Sequence, residues 1–102
     1  MMIQRIVCFK FKEDATETDI KSHMDDFKSM KEKIPQVLSY SAGKTIPGDF
    51  GKSPEYDVMH YMTFENKKSV DEYSEHEVHQ TFIQRNKEIW ENVLVINSFA
   101  IE

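Results

Sequence analysis

Ile3-Gln-Arg-Ile-Val-Cys-Phe-Lys-Phe-Lys12 decides the fold of this chain. Its isoleucine, valine and phenylalanine content favours a pleated, half-buried backbone, so the stretch reads as a strand. Side chains alternate across a strand, which puts Arg5, Val7, Phe9 and Phe11 on one face and Ile6, Cys8 and Lys10 on the other. Both faces carry apolar groups, so both are expected to meet another layer.

Outward from that strand the hydrophobic period changes several times. Thr16-Glu-Thr-Asp19 places a hydroxyl at a helix N-cap with acids in the first turn, where the helix dipole favours them. Ile20, Met24, Phe27, Met30 and Ile34 then recur every three or four residues, an apolar stripe that predicts a helix ended by Pro35. His23 lies one residue off that stripe and is expected at a partly exposed surface. Residues 36–46 return to period two, with Val37, Ser39 and Ser41 opposite Leu38, Tyr40 and Ala42 and with Gly43 near the end: a second strand. Residues 47–54, rich in glycine and proline, read as a loop.

Residues 56–64 form a third strand, with Val58, His60, Met62 and Phe64 on one side and Asp57, Met59, Tyr61 and Thr63 on the other. Asn66 caps a short helix containing Val70 and Tyr73; a longer helix carries Phe82, Ile83, Ile89 and Trp90; a last strand spans 93–101. The order is β-α-β-β-α-β. It predicts an α+β, ferredoxin-like fold in which one four-stranded antiparallel sheet takes its helices on one face. The open face, expected to bear Ile6, Cys8, Leu38, Tyr40, Met59 and Tyr61, is apolar enough to require a cover. A homodimer through the sheet face, closing an α/β barrel, is the simplest one, because a two-fold axis lets the same patch cover itself.

Composition bounds the rest. The chain of 102 residues fits a single domain over 1–102, with 39% hydrophobic and 30% charged residues, as in ordinary globular proteins. The net charge of −5 and the lack of a basic run argue against nucleic acid, whose phosphates need a concentrated positive face. Neither a leader nor a spanning helix is expected, hence no membrane partner. The lone Cys8 has no intrachain partner and is expected to be a buried thiol in a reducing, cytoplasmic setting.

Candidate chemistry concentrates in Tyr73-Ser-Glu-His-Glu-Val-His-Gln-Thr-Phe82. If helical, Tyr73, His76, His79 and Phe82 or Ile83 share one face. An imidazole of near-neutral pKa suits proton abstraction beside a carbonyl, a role open to His79, while the alternative for His79 is a ring satisfied by backbone that ties helix to sheet. His76 marks the junction of two helices. His60 points toward the helices and is expected to share a cavity with His79. Arg5, at a strand start on the helix-facing side, snorkels to solvent, pairs with an acid such as Glu102, or awaits an anionic ligand. Phe27, Phe82 and their aromatic neighbours line a pocket or fill a core. His76 and His79, with Glu75 or His60, fall short of three ligands at fixed geometry, so no metal is expected, and no cofactor.

The opening Arg5 to Lys12 run, Lys33-Ile-Pro-Gln-Val37, Gly43, Tyr56-Asp57, Thr63-Phe-Glu65 and the Tyr73 to Phe82 segment together resemble the stress-responsive dimeric α/β-barrel (Dabb) domain family. The resemblance implies a homodimeric barrel with a cavity between sheet and helices, and the leading expectation is that it takes a small apolar or aromatic molecule. One branch closes linear polyketides by aldol condensation, using a general-base histidine and a tyrosine in a Tyr-x-x-His-Pro-x-His segment. By that resemblance the catalytic candidates are His79 and Tyr73; Arg5, His60, Phe27 and Phe82 are ligand-binding candidates from their own positions on strand and helix faces. Arg5 and Val58 stand where the branch has further histidines, and Glu77 where it has proline. A cyclase or monooxygenase-like enzyme, and a non-catalytic stress-related interaction protein, are the alternative functions.

Overall fold

A computed structural model describes residues 1–51 and 53–101. Four strands, β1 (Ile3–Phe11), β2 (Ser39–Lys44), β3 (Val58–Phe64) and β4 (Trp90–Phe99), alternate with α1 (Glu17–Lys33), α2 (Lys67–Glu75) and α3 (Glu77–Asn86). The sheet order is β2-β3-β1-β4, every neighbouring pair antiparallel. This is the ferredoxin-like arrangement, its second helical element split in two.

Local chemistry sets the elements. At α1 the Thr16 hydroxyl accepts from the Asp19 amide at 3.0 Å while the Asp19 carboxylate accepts from the Thr16 amide at 3.0 Å, a reciprocal cap satisfying two otherwise orphaned donors. Ile34, driven to extended backbone by the following proline, ends the helix. Phe27 and Met30 of α1, Tyr73 of α2 and Phe82 of α3 bury against Val7, Phe9, Phe11, Val58, Met62 and Phe64 of the sheet. Each such side chain contributes about 1.5–3 kcal/mol. Asp26 of α1 accepts from Arg85 at 2.7 Å and from Asn86 at 2.8 Å, tying α3 to α1.

Four expectations are corrected. His23 is fully buried, because it stands three residues after Ile20 and four before Phe27 and so shares their face. Tyr40 pairs with Met62 and therefore faces the helices rather than the open side. Val37 lies in the turn before β2, out of phase with it, and Leu38 also precedes the strand, so alternation counted from Val37 inverted the parity. Finally, α3 stops at Asn86 and a 3-10 turn over Lys87–Ile89 delivers Trp90 to the start of β4. The strands also start later than expected, β2 at Ser39 and β3 at Val58. Glu102, one possible partner for Arg5, lies outside the described residues.

Ile6, Cys8, Met59, Tyr61, Leu94 and Ile96 share the open face by register. Met59, Leu94 and Ile96 are exposed there, and Val93, Val95 and Phe99 are exposed on the other face of β4. The apolar edge strand is thus uncovered on both sides. Cys8 is half-buried on the open face, and burial pushes its thiol up, away from the reactive thiolate.

Candidate functional site

His76 interrupts what would otherwise be one helix. Its extended backbone (φ −63°, ψ 138°) ends α2, and its Nδ1 accepts from the Val78 amide at 3.1 Å to start α3. The break leaves the Ser74 carbonyl without a helical partner, as at any helix C-terminus. His79 Nδ1 donates to that carbonyl at 3.0 Å, and Gln80 Nε2 donates to it at 2.7 Å. A carbonyl only accepts, so the proton sits on Nδ1 and Nε2 keeps its lone pair. Burial lowers the His79 pKa from the ordinary histidine value; the Ser74 bond opposes this, and the charges of Arg5 and His76 add to the lowering. The imidazole is therefore neutral and basic at Nε2, which has no hydrogen-bond partner among the described residues.

Tyr73 reaches the same place from α2, its ring centroid 4.6 Å from that of His79. Burial raises its pKa well above the ordinary phenol value, with Arg5 opposing and Tyr40 reinforcing, so the hydroxyl stays protonated and is a donor. Arg5 comes from β1, its Cζ 5.7 Å from the Tyr73 ring centroid. One guanidinium nitrogen donates to Asn97 Oδ1 at 3.2 Å, while the buried Nε has no partner. Among the described residues no carboxylate pairs with Arg5. Burial lowers its pKa, but guanidinium remains charged.

These three polar groups border a cavity of about 170 Å³ whose apolar wall includes Phe9, Phe27, Phe82, Trp90 and Val95. A cavity near 150 Å³ holds a benzene ring, so the space in one protomer is of single-ring size. The structure thus brings together Arg5, Phe27, Tyr73, His79 and Phe82. His60 it does not: that ring lies outside the lining, stacked on Phe27 at 3.7 Å between centroids, with Nδ1 2.8 Å from the Tyr40 hydroxyl and Nε2 3.1 Å from His23 Nε2. His23 Nδ1 in turn accepts from Trp90 Nε1 at 3.0 Å. Sequence reading counted Trp90 among the aromatic residues of a pocket or core but missed His23 and Tyr40 as parts of this neighbourhood; the Ile20, His23, Phe27 spacing was the available signal for the first.

A larger groove of about 760 Å³ runs past Phe11, Ile20, Met24, Lys44 and Pro54. Of its charged residues Lys21 and Asp57 are engaged, with Asp25 and Lys10, Glu17 and Lys44 also line it, and it lacks histidine and tyrosine. The smaller cavity is the one lined by Arg5, Tyr73 and His79. Among the described residues no three His, Cys, Asp or Glu side chains converge to hold a metal ion, and no helix is long and apolar enough to cross a membrane.

The stress-responsive A/B barrel domain (Dabb) family model matches residues 3–100. The chain belongs to the Dabb family. Olivetolic acid cyclase of Cannabis sativa is similar to this Dabb protein over 97 residues at 23% identity, 95% of either chain being covered. Among solved structures, hydroxynitrile lyase from Passiflora edulis superposes with a TM-score of 0.89 at 14% identity, over 99% of this chain and 94% of the lyase. A dimeric ferredoxin-like protein from Thermobifida fusca superposes with a TM-score of 0.80 at 18% identity, over 99% and 92%. At such identities the structural likeness establishes a common ferredoxin-like fold.

Proposed function

We propose that this Dabb protein, acting as one domain over residues 1–102, binds a small apolar or aromatic molecule with an anionic or carbonyl head. The apolar part occupies the space beside Phe27, Phe82 and Trp90, and Arg5 and Tyr73 direct donors at the head group. The observation that carries this reading is the half-buried Arg5, without a carboxylate partner among the described residues, in the wall of a cavity of ring size. Burying a charge beside an apolar space is costly unless something compensates it. Titrating the isotope-labelled protein with benzoate tests this. Saturable NMR shifts at Arg5, Tyr73 and His79, weakened in Arg5→Ala, are expected; shifts confined to the larger groove, or none, overturn the reading.

The lone pair on His79 Nε2 favours a second reading, catalysis, and two of the similar proteins are named as a cyclase and a lyase. In it His79 takes a proton from carbon beside a carbonyl, the C–H electron pair forms the carbon–carbon double bond as the carbonyl π pair moves onto oxygen, and the Tyr73 hydroxyl with Arg5 stabilises the resulting enolate. Deuterium exchange at the methyl group of acetophenone in D2O is the assay. Acceleration lost about 10²-fold or more in His79→Ala supports catalysis, and no acceleration by the native protein refutes it.

The assembly belongs to the same proposal. Two copies cover the apolar open face and the β4 edge, as dimeric neighbours of this fold suggest. A reducing, cytoplasmic setting accords with the single cysteine.

A further inference from the structure

We propose that His23 and His60 form a one-way hydrogen-bonded chain whose task is to fix the Trp90 indole in the cavity wall, making His23 a positioning residue for ligand selection. The chain runs from Trp90 Nε1 to His23 Nδ1 at 3.0 Å, from His23 Nε2 to His60 Nε2 at 3.1 Å, and from His60 Nδ1 to the Tyr40 hydroxyl at 2.8 Å. It links the start of β4, through α1 and β3, to β2.

Its direction follows from one fact: an indole N–H only donates. His23 Nδ1 must therefore accept, so the His23 proton is on Nε2. That proton points at His60 Nε2, which must accept in turn, so the His60 proton is on Nδ1. Nδ1 then donates to the Tyr40 oxygen, and the Tyr40 proton is left to point elsewhere. Every tautomer is set by the donor at one end. Both rings are fully buried, packed edge-on or face-on against Phe9, Phe27 and Phe82, so bulk water does not compete for their nitrogens. Burial keeps both rings neutral, as the chain requires.

Because the indole does not give up its proton, the chain is a dead end for proton transfer into the cavity. Its consequence is geometric. Trp90 borders the cavity between Phe9, at 4.7 Å between ring centroids, and Phe82, at 5.7 Å. The bond to His23 sets the tilt of the indole and hence the shape of the slot offered to a flat ring. The claim about ligand selection rests on the cavity reading above; the claim about tautomers and indole does not.

The test begins with ring nitrogen shifts of the native protein, which need no variant to fold and no ligand. Protonated Nε2 on His23 and protonated Nδ1 on His60 are expected, and the reverse pair, or averaged shifts, overturns the chain. Trp90 is the single tryptophan, so its indole N–H gives one resonance. His23→Leu should speed its hydrogen exchange about tenfold, the effect of losing one hydrogen bond. His23→Asn, whose Oδ1 falls where Nδ1 was, should restore protection. Equal exchange in native and His23→Leu protein overturns the positioning role. So does a His23→Leu variant that holds benzoate as tightly as a native protein shown to bind it.

Discussion

His23 Nε2 and His60 Nε2 lie 3.1 Å apart in the core, so one ring must donate and the other accept. A second proton on either ring would set two N–H groups against each other, or two cations side by side, and their surroundings offer little relief. Phe9, Phe11 and Phe27 pack on His23, with Trp90 of β4 donating to it and Phe82 of α3 beside it. Tyr40 of β2 faces His60. The acid that acts on it, Asp26, pulls the His23 pKa upward but is itself held by Arg85 and Asn86 of α3.

Acid sensitivity follows with a definite sign. Burial depresses His23 to about 4, Asp26 opposing, and depresses His60 to about 3, the charge on His23 adding to it. In the unfolded chain both titrate at the ordinary value, near 6.5. The unfolded state therefore binds more protons below that value, and stability falls as pH drops from about 6.5 toward the folded values. Each pH step of depression is worth about 1.4 kcal/mol, so the loss reaches several kcal/mol. Urea unfolding at a series of pH values should show this slope, and His23→Leu/His60→Leu should flatten it; an equally steep slope in the double variant would show that other groups titrate.

The same reasoning gives His79 a pH signature. Its pKa is lowered, chiefly by burial, so its base form persists to lower pH than that of a free histidine. Any exchange reaction it catalyses should rise with pH below 6.5 and be level above it. A profile still climbing above pH 7 would point to a different base.

Replacing Thr16 by Ala removes the hydroxyl half of the reciprocal cap of α1 and should cost about 1 kcal/mol, whereas Thr16→Ser should cost much less. Thermal unfolding reads the difference. A Thr16→Ala protein as stable as the native would mean that tertiary packing alone holds the first turn.

On the open face, Ile96 is half exposed at 50%, in register with Ile6. Ile96→Asp should convert a dimer into a monomer in sedimentation equilibrium, because a buried, unpaired carboxylate opposes association. The variant monomer should keep its folded spectrum. A native protein that is monomeric at micromolar concentration contradicts the assembly outright.

The fold was legible where pattern and local chemistry agree. Thr16 with Asp19, Pro35 and the two-sided apolar run of β1 each have a short-range cause that survives packing. Tyr40 was misplaced because β2 is only six residues long and its phase is set by pairing to β3, a non-local relation. Trp90 was misplaced because nothing local distinguishes the end of α3 from a continued helix. The candidate site was legible in Tyr73, His79 and Arg5, which stand on elements read correctly. His60 was expected in the cavity from strand parity alone, and parity was right: Phe27 lies across its ring and separates it from the space beyond. His23 shows the limit of counting an apolar stripe, since a histidine on that stripe reads as a gap in it.

The most direct measurement of the central claim is a crystal structure of the protein soaked with benzoate. The aromatic ring is expected against Phe27, Phe82 and Trp90, with its carboxylate within hydrogen-bond distance of Arg5 and the Tyr73 hydroxyl. Benzoate seated only in the groove beside Ile20 and Met24, with the space next to His79 empty or closed, would contradict it.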